Sequence, residues 1–335
     1  MFWSAASLYL AVTIGGGTDL SEREMRAWKK VQPSIVSIIE GRTVSGSAAL
    51  ISADGLFITH ASAVSGAEAM GRTSTGRIVT LKKLATDEPT QFVLLKADIW
   101  MEDAPALTIA PSVQEKSILA ITPTGPARAE IVKAAYGIVN PSRKVVSVNE
   151  IQLENNMRSL SGVLLVNLNG QLVGALNAAL GMSAEQTVQK TRADLNNRGA
   201  AGLGGGGILP SQPPTLQYGP GILTAAYSVG TKVLSRVVAG FLSSSHEVRH
   251  PAIGVFCRDA IPGGAVIETV TKDSMAEKAG LKSGDIILSI NNRQVRNQIE
   301  FAQIMADHEI GEVLTIWIQR SGLRQQVKVE VGSQP

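Results

Sequence analysis

Between residues 47 and 176 the chain passes through a series of short apolar segments, SAALIS, GLFITH, FVLLKA, SILAIT, GVLLVNL and QLVGAL, separated by Gly, Asp, Asn and Pro. Each is too short for a helix, and no helical periodicity of comparable length interrupts them. They read as the strands of a barrel or sandwich. Only 4% of residues are aromatic while Gly reaches 33 copies, so the core must be built from Val, Ile, Leu and Ala. That composition suits strands and tight turns. With 335 residues, 44% of them hydrophobic, the chain exceeds one ordinary core and is expected to form two domains.

Charge and cysteine narrow the function classes. The formal charge of +3 is small, and its Lys and Arg are interspersed with acidic residues, so no nucleic-acid partner is implied. Cys257 is the single cysteine, which excludes an intrachain disulfide and any multi-cysteine metal site. His246, His250 and His308 lack metal-ligand spacing. The GLGGGG run at 202–207 lacks the Lys-Ser/Thr that completes a phosphate loop. No metal or cofactor is expected.

The opening residues, MFWSAASLYLAVTIGGG, hold an apolar run shorter than the roughly 20 residues that span a bilayer. It has the length of a secretory signal core, although no Lys or Arg precedes it and no small-x-small site closes it. Membrane association is left open by this segment. SEREMRAWKK then reads as a polar helix that Pro33 ends, so residues 1–30 form an apolar segment followed by a helix. The strand-rich unit spans 31–230 and contains a Gly/Pro-rich stretch at 187–221 that is read as a mobile loop. After Gly230 the residues Val233, Leu234, Val237, Val238, Phe241 and Leu242 recur at helical spacing, giving a helix and connector over 231–249. A second unit occupies 250–335.

In that second unit the segment DSMAEKAGLKSGDIILSINNRQV reads as a short helix ending at Gly280, a turn, a buried strand and a hairpin around Asn291-Asn292. IEFAQIMADHE is a second helix, and GEVLTIWIQRSGLRQQVKVEV a terminal hairpin. In PAIGVFC, the glycine allows a sharp turn that presents N–H groups ahead of a strand, the geometry of a carboxylate cradle.

The phrases AGLKSGDIILSIN and GEVLTIWIQRSG resemble the PDZ domains that follow HtrA/Deg serine proteases. The resemblance implies a mainly β fold, a chymotrypsin-like double β-barrel followed by an α+β PDZ domain of five to six strands and two helices. It implies a binding loop at Ala252, Ile253, Gly254 and Val255 that holds a peptide's terminal carboxylate while the peptide adds as a strand. Ile253, Val255, Phe301, Ile304 and Met305 would then line the pocket for the last side chain. Ile304 and Met305 could equally be helix core. Where the family has an aromatic residue and an Arg at the loop, this chain has Ala252 and His250.

Upstream, ISADGLFITHASAV, DEPTQFVLLK and IQLENNMRSLSGVLLVNLNGQLVGAL resemble the stretches carrying the family's catalytic His, Asp and Ser. Acyl transfer of that kind needs a Ser hydroxyl, an imidazole to take its proton and a carboxylate to fix the imidazole tautomer. Here Ser62 occupies the His position and Gln91 the Asp position. His60 lies two residues early, about 7 Å along an extended strand, and is read as a surface or turn histidine. Ser161 stands at the nucleophile position as a vestigial residue, with Ser159 where the oxyanion loop needs glycine and Val163 adding a branched side chain. Lys133, Lys144 and Lys190 are the lysines weighed for a Ser-Lys dyad.

The expected function is thus a non-catalytic HtrA/Deg-like protein. Its barrel serves as scaffold and its PDZ domain binds protein C-termini or extended peptides. The resemblance further implies an extracytoplasmic setting, a role in envelope protein quality control and a homotrimer formed through the barrel. The competing readings are an active serine endopeptidase using Ser161 with an unconventional base, and a structural subunit of a larger assembly.

Overall fold

A computed structural model describes residues 20–98, 104–122, 125–139, 144–154, 162–176 and 225–334. The first barrel is closed and antiparallel. Its strands β1 (Ile35–Glu40), β2 (Thr43–Ser52), β3 (Leu56–His60), β4 (Glu68–Arg72), β5 (Ile78–Asp87) and β6 (Phe92–Ala97) run in the order β1-β2-β3-β6-β5-β4. The second unit contains β7 (Ser117–Thr122), β8 (Gly125–Val139), β9 (Lys144–Leu153), β10 (Leu164–Asn167), β11 (Leu172–Ala175) and β12 (Ala225–Val229), ordered β11-β10-β7-β8-β9-β12. Its two edges meet where Leu176 bridges Ser228.

The apolar segments do not alternate with polar residues because both faces of their strands are buried. Along β6, Val93 and Leu95 point into the first barrel while Phe92 and Leu94 face the layer between the barrels. The same division holds on β7, where Ile118 and Ala120 fill the second barrel and Leu119 and Ile121 join the shared layer. A strand with period-two side chains and water on neither side must read as a continuous apolar run.

Helix α1 (Glu22–Val31) begins with a capping box between Ser21 and Glu24 and ends in a 3-10 turn, Gln32–Ser34, that contains Pro33. It adds Ala27 and Val31 to the shared layer, and Glu24 holds Arg128 of β8 at 2.9 Å. That hydrogen-bonded pairing drops the Glu24 carboxyl from its ordinary 4.5 to about 2. Helix α2 (Thr231–Phe241) buries Val233, Leu234, Val237, Val238 and Phe241 against the same layer.

The C-terminal unit has its own core. Strands β14 (Val255–Asp259), β15 (Ala265–Val270), β16 (Ile286–Ile290), β18 (Val313–Arg320) and β19 (Leu323–Glu330) form one sheet, with β17 (Arg293–Gln294) paired to β16. The two remaining strands, β13 (His250–Ala252) and β20 (Gly332–Gln334), pair apart from it. Helices α3 (Met275–Lys278) and α4 (Gln298–Ala306) complete the unit. Asp285, 1% exposed, explains the AGLKSGD phrase: it accepts the Lys282 N–H at 2.8 Å and takes the Arg320 guanidinium through two bonds of 2.6 and 2.7 Å. A buried carboxylate satisfied in this way pins the turn before β16.

Charged contacts join the C-terminal unit to the barrels. His250 Nε2 lies 2.8 Å from the buried Asp87 Oδ1, whose other oxygen accepts the Thr90 hydroxyl. Tyr136 of β8 donates to Asp307, and Lys232 and Arg236 of α2 share Glu309.

Candidate functional site

Two regions merit comparison. At the mouth of the barrels, β3 ends at His60 and enters a 3-10 turn, Ala61–Ala63. His60 Nδ1 accepts the Ser62 N–H at 3.2 Å and lies 2.7 Å from Ser62 Oγ. Because a backbone N–H points at Nδ1, that nitrogen carries the lone pair and the hydroxyl donates to it. This corrects two expectations. His60 is 2% exposed and so is not a surface histidine. The residues after it do not extend along a strand, so the strand-step separation from position 62 does not apply.

Gln91 sits at φ +61° in the turn before β6. Its backbone carbonyl accepts the Ala61 N–H at 2.8 Å, while its carboxamide donates to the Glu88 carbonyl at 2.8 Å. The Gln91 side chain is therefore spent on its own turn. Gly162, next after Ser161, has φ +59°, and a Cβ there would come within 2.6 Å of the Ala63 Cβ. Ser47 donates its N–H to the Gly162 carbonyl at 2.9 Å, so this residue is pressed against the turn that carries Ser62. Ser159 and Ser161 lie outside the described residues, as do Lys190 and the 187–221 stretch.

The second region is a cleft of about 380 Å³ between β14, α4 and the barrel side. Ala252, Ile253, Gly254, Val255, Phe301 and Met305 all line it, with Ile253, Phe301 and Met305 at the same time buried members of the unit's core; Ile304 belongs to that core and does not line the cleft. Helical geometry separates these neighbours, since consecutive residues point about 100° apart and Ile304 faces the sheet. Gly254 has φ +86°, and a Cβ there would stand 2.3 Å from the Ser274 Cβ, so only glycine fits. The carbonyls of Ile253 and Gly254 are held from behind by the N–H groups of Ala276 and Thr271, each at 2.8 Å. Among the described residues no protein group accepts the N–H of Ile253 or Gly254. β14 is the terminal strand of its sheet, leaving an edge beside these donors. Cys257 also lines the cleft, but burial, then the nearby Glu268 charge, push its thiol up to about 12, which removes it as a nucleophile.

The barrel side of the cleft was not legible as such in the sequence. Pro89, Lys144 to Ser147 and, from α2, Val233 and Arg236 form that wall. The available signal was Arg236 itself, which with Lys232 four residues earlier makes a pair of cations on one side of a helix that buries Val233, Leu234, Val237, Val238 and Phe241.

A double β-barrel followed by a sheet with a glycine-hinged loop and an open edge defines a protein of trypsin-like plus PDZ architecture. Residues 266–320 match the PDZ domain family. Over 313 residues the chain is 28% identical to the "Probable periplasmic serine endoprotease DegP-like" of Marinomonas sp. (strain MWYL1), covering 88% of this chain and 58% of that protein. It is 26% identical over 300 residues to the protein of the same name from Hahella chejuensis (strain KCTC 2396), covering 87% and 57%. The chain thus spans less than two thirds of the curated relatives it matches. Among solved structures, "HtrA-type protease AlgW with decapeptide" is similar at TM-score 0.61 and 17% identity, over 93% of this chain and 99% of that one. The serine endoprotease from Yersinia pestis is similar at TM-score 0.54 and 18% identity, over 95% and 100%. The chain is thus similar over most of its length to DegP-like serine endoproteases, shares the fold of HtrA-type proteases and carries a C-terminal PDZ domain.

Proposed function

We propose that this protein recognises peptides: the PDZ cleft takes the C-terminus or an extended segment of another protein as an added strand on β14, and the double barrel is a non-catalytic scaffold. The observation that carries this reading is the pair of unclaimed N–H groups at Ile253 and Gly254 beside an open sheet edge. Main-chain bonds along the edge supply affinity, and the donors suit a chain-terminal carboxylate. The apolar Phe301 and Met305 suit an apolar last residue. For the barrel, the reading rests on Ser62 and Gln91 in the positions that the family uses for His and Asp, and on a Gln91 side chain turned to Glu88. With Ser62 and Gln91 there, a serine at 161 lacks the base and the orienting carboxylate that the family uses at those positions.

The names of the relatives, which include the word periplasmic, support an extracytoplasmic setting and, with it, a role in envelope protein quality control. A homotrimer formed through the barrel belongs to the same reading. Fluorescence polarisation with labelled peptides ending in Val, Leu or Phe tests the binding claim. Dissociation constants well below about 1 mM are expected. A C-terminal library containing no ligand better than that would instead favour a structural subunit.

A further inference from the structure

The positive charge that meets a ligand's carboxylate ought to come from the PDZ loop, yet His250 is not free to serve. Its Nε2 is bound to Asp87 of the first barrel at 2.8 Å, and His250 is 8% exposed. Two other cations line the same cleft, and both belong to the barrel side: Lys144 at the start of β9 and Arg236 on α2. No Asp or Glu lines the cleft among the described residues. Arg236 is largely enclosed, with its side chain 13% exposed. Its Nη2 reaches Glu309 at 3.2 Å, but Glu309 is shared with Lys232 at 2.9 Å. One carboxylate therefore faces two cations. The Arg236 Nε is buried and has no hydrogen-bond partner among the described residues. A buried guanidinium N–H left without an acceptor is unfavourable, so Arg236 stands in the cleft wall with donor capacity that its shared bridge to Glu309 does not satisfy.

We infer that the ligand's carboxylate is recognised across the domain boundary: the PDZ loop supplies the N–H donors, and Arg236, assisted by Lys144, supplies the countercharge from the barrel side. This rests on the peptide-binding reading and makes the barrel a specificity-determining part of the cleft. It also makes recognition depend on the docked arrangement of the two units.

The test compares one apolar-ended peptide as free acid and as C-terminal amide, titrated by fluorescence polarisation against the full chain. For the unaltered protein the acid should bind about tenfold or more tighter than the amide, as a charge-assisted bond to a buried cation implies. Arg236→Gln should cut that preference to about threefold or less, chiefly by weakening the acid, and Lys144→Gln should reduce it by a smaller factor. Since Arg236→Gln also breaks the Glu309 bridge, Glu309→Gln is the control. It breaks the same bridge but leaves the cation, so the acid preference should persist or rise. An acid preference unchanged in Arg236→Gln, or lost equally in Glu309→Gln, overturns the inference while peptide binding stands. If neither peptide binds the unaltered protein, the peptide-binding reading fails and the inference falls with it.

Discussion

The barrel mouth and the PDZ cleft differ in where their polar groups are directed. At the mouth, the Ser62 hydroxyl is given to His60 and the Gln91 carboxamide to Glu88, both partners within three residues in the chain. In the cleft, the loop carbonyls are tied back while the N–H groups of Ile253 and Gly254 and the Arg236 Nε have no partner among the described residues. Local satisfaction stabilises a turn; groups left without a partner beside an open edge invite a ligand. This difference supports the proposal that the second region is the working surface and the first a structural one.

The largest expected effect comes from Asp285→Ala. It removes the acceptor of the Lys282 N–H and of two Arg320 bonds, leaving Arg320 its bond to the Gly280 carbonyl, and undoes the turn before β16, so the PDZ unit should lose about 3–5 kcal/mol, with peptide binding lost alongside. Chemical denaturation followed at Trp317, which lies on β18, checks it. Gly254→Val sharpens the comparison more selectively. A branched side chain at φ +86° pressed against Ser274 should weaken peptide binding by about tenfold or more, whereas barrel stability should stay put. An unchanged Kd would place the ligand elsewhere.

Next in size is Asp87→Ala, which leaves His250 and Thr90 without their acceptor at the boundary between the units. A cost of about 1–3 kcal/mol is expected, visible as faster trypsin cleavage at the exposed Arg249 in the connector. Glu24→Gln tests the scaffold and should cost about 1–2 kcal/mol at pH 7. Because the folded carboxyl is depressed from 4.5 to about 2, its contribution is full above the unfolded value. It fades as pH falls from about 5 to 2, so variant and parent should converge in acid denaturation. Ser62→Ala should be the mildest, lowering stability by under about 1 kcal/mol and leaving peptide affinity unchanged.

Much of this was legible from residues. The continuous apolar runs announced strands, and the capping box at Ser21 and Glu24 began its helix. Asn291 and Asn292 take positive φ in their hairpin, as an Asn pair allows. What could not be read was long-range. Whether Ile304 or Met305 faces the cleft depends on the helix's rotation against the sheet. The burial of His60 depends on strands β2 and β6 closing around β3. The engagement of His250 by Asp87, 163 residues away, has no local signature, and neither does the arrival of Arg236 at the cleft wall. Such placements follow from docking, which propensity and periodicity do not encode.

The central claim, that the barrel is a scaffold and the cleft the working surface, is tested most directly by incubating the purified full chain with unfolded casein beside a Ser161→Ala version. The account predicts no cleavage by the parent above that of the variant, with and without a bound C-terminal peptide. Cleavage by the parent that Ser161→Ala abolishes would contradict it and return the barrel mouth to the role of an active site.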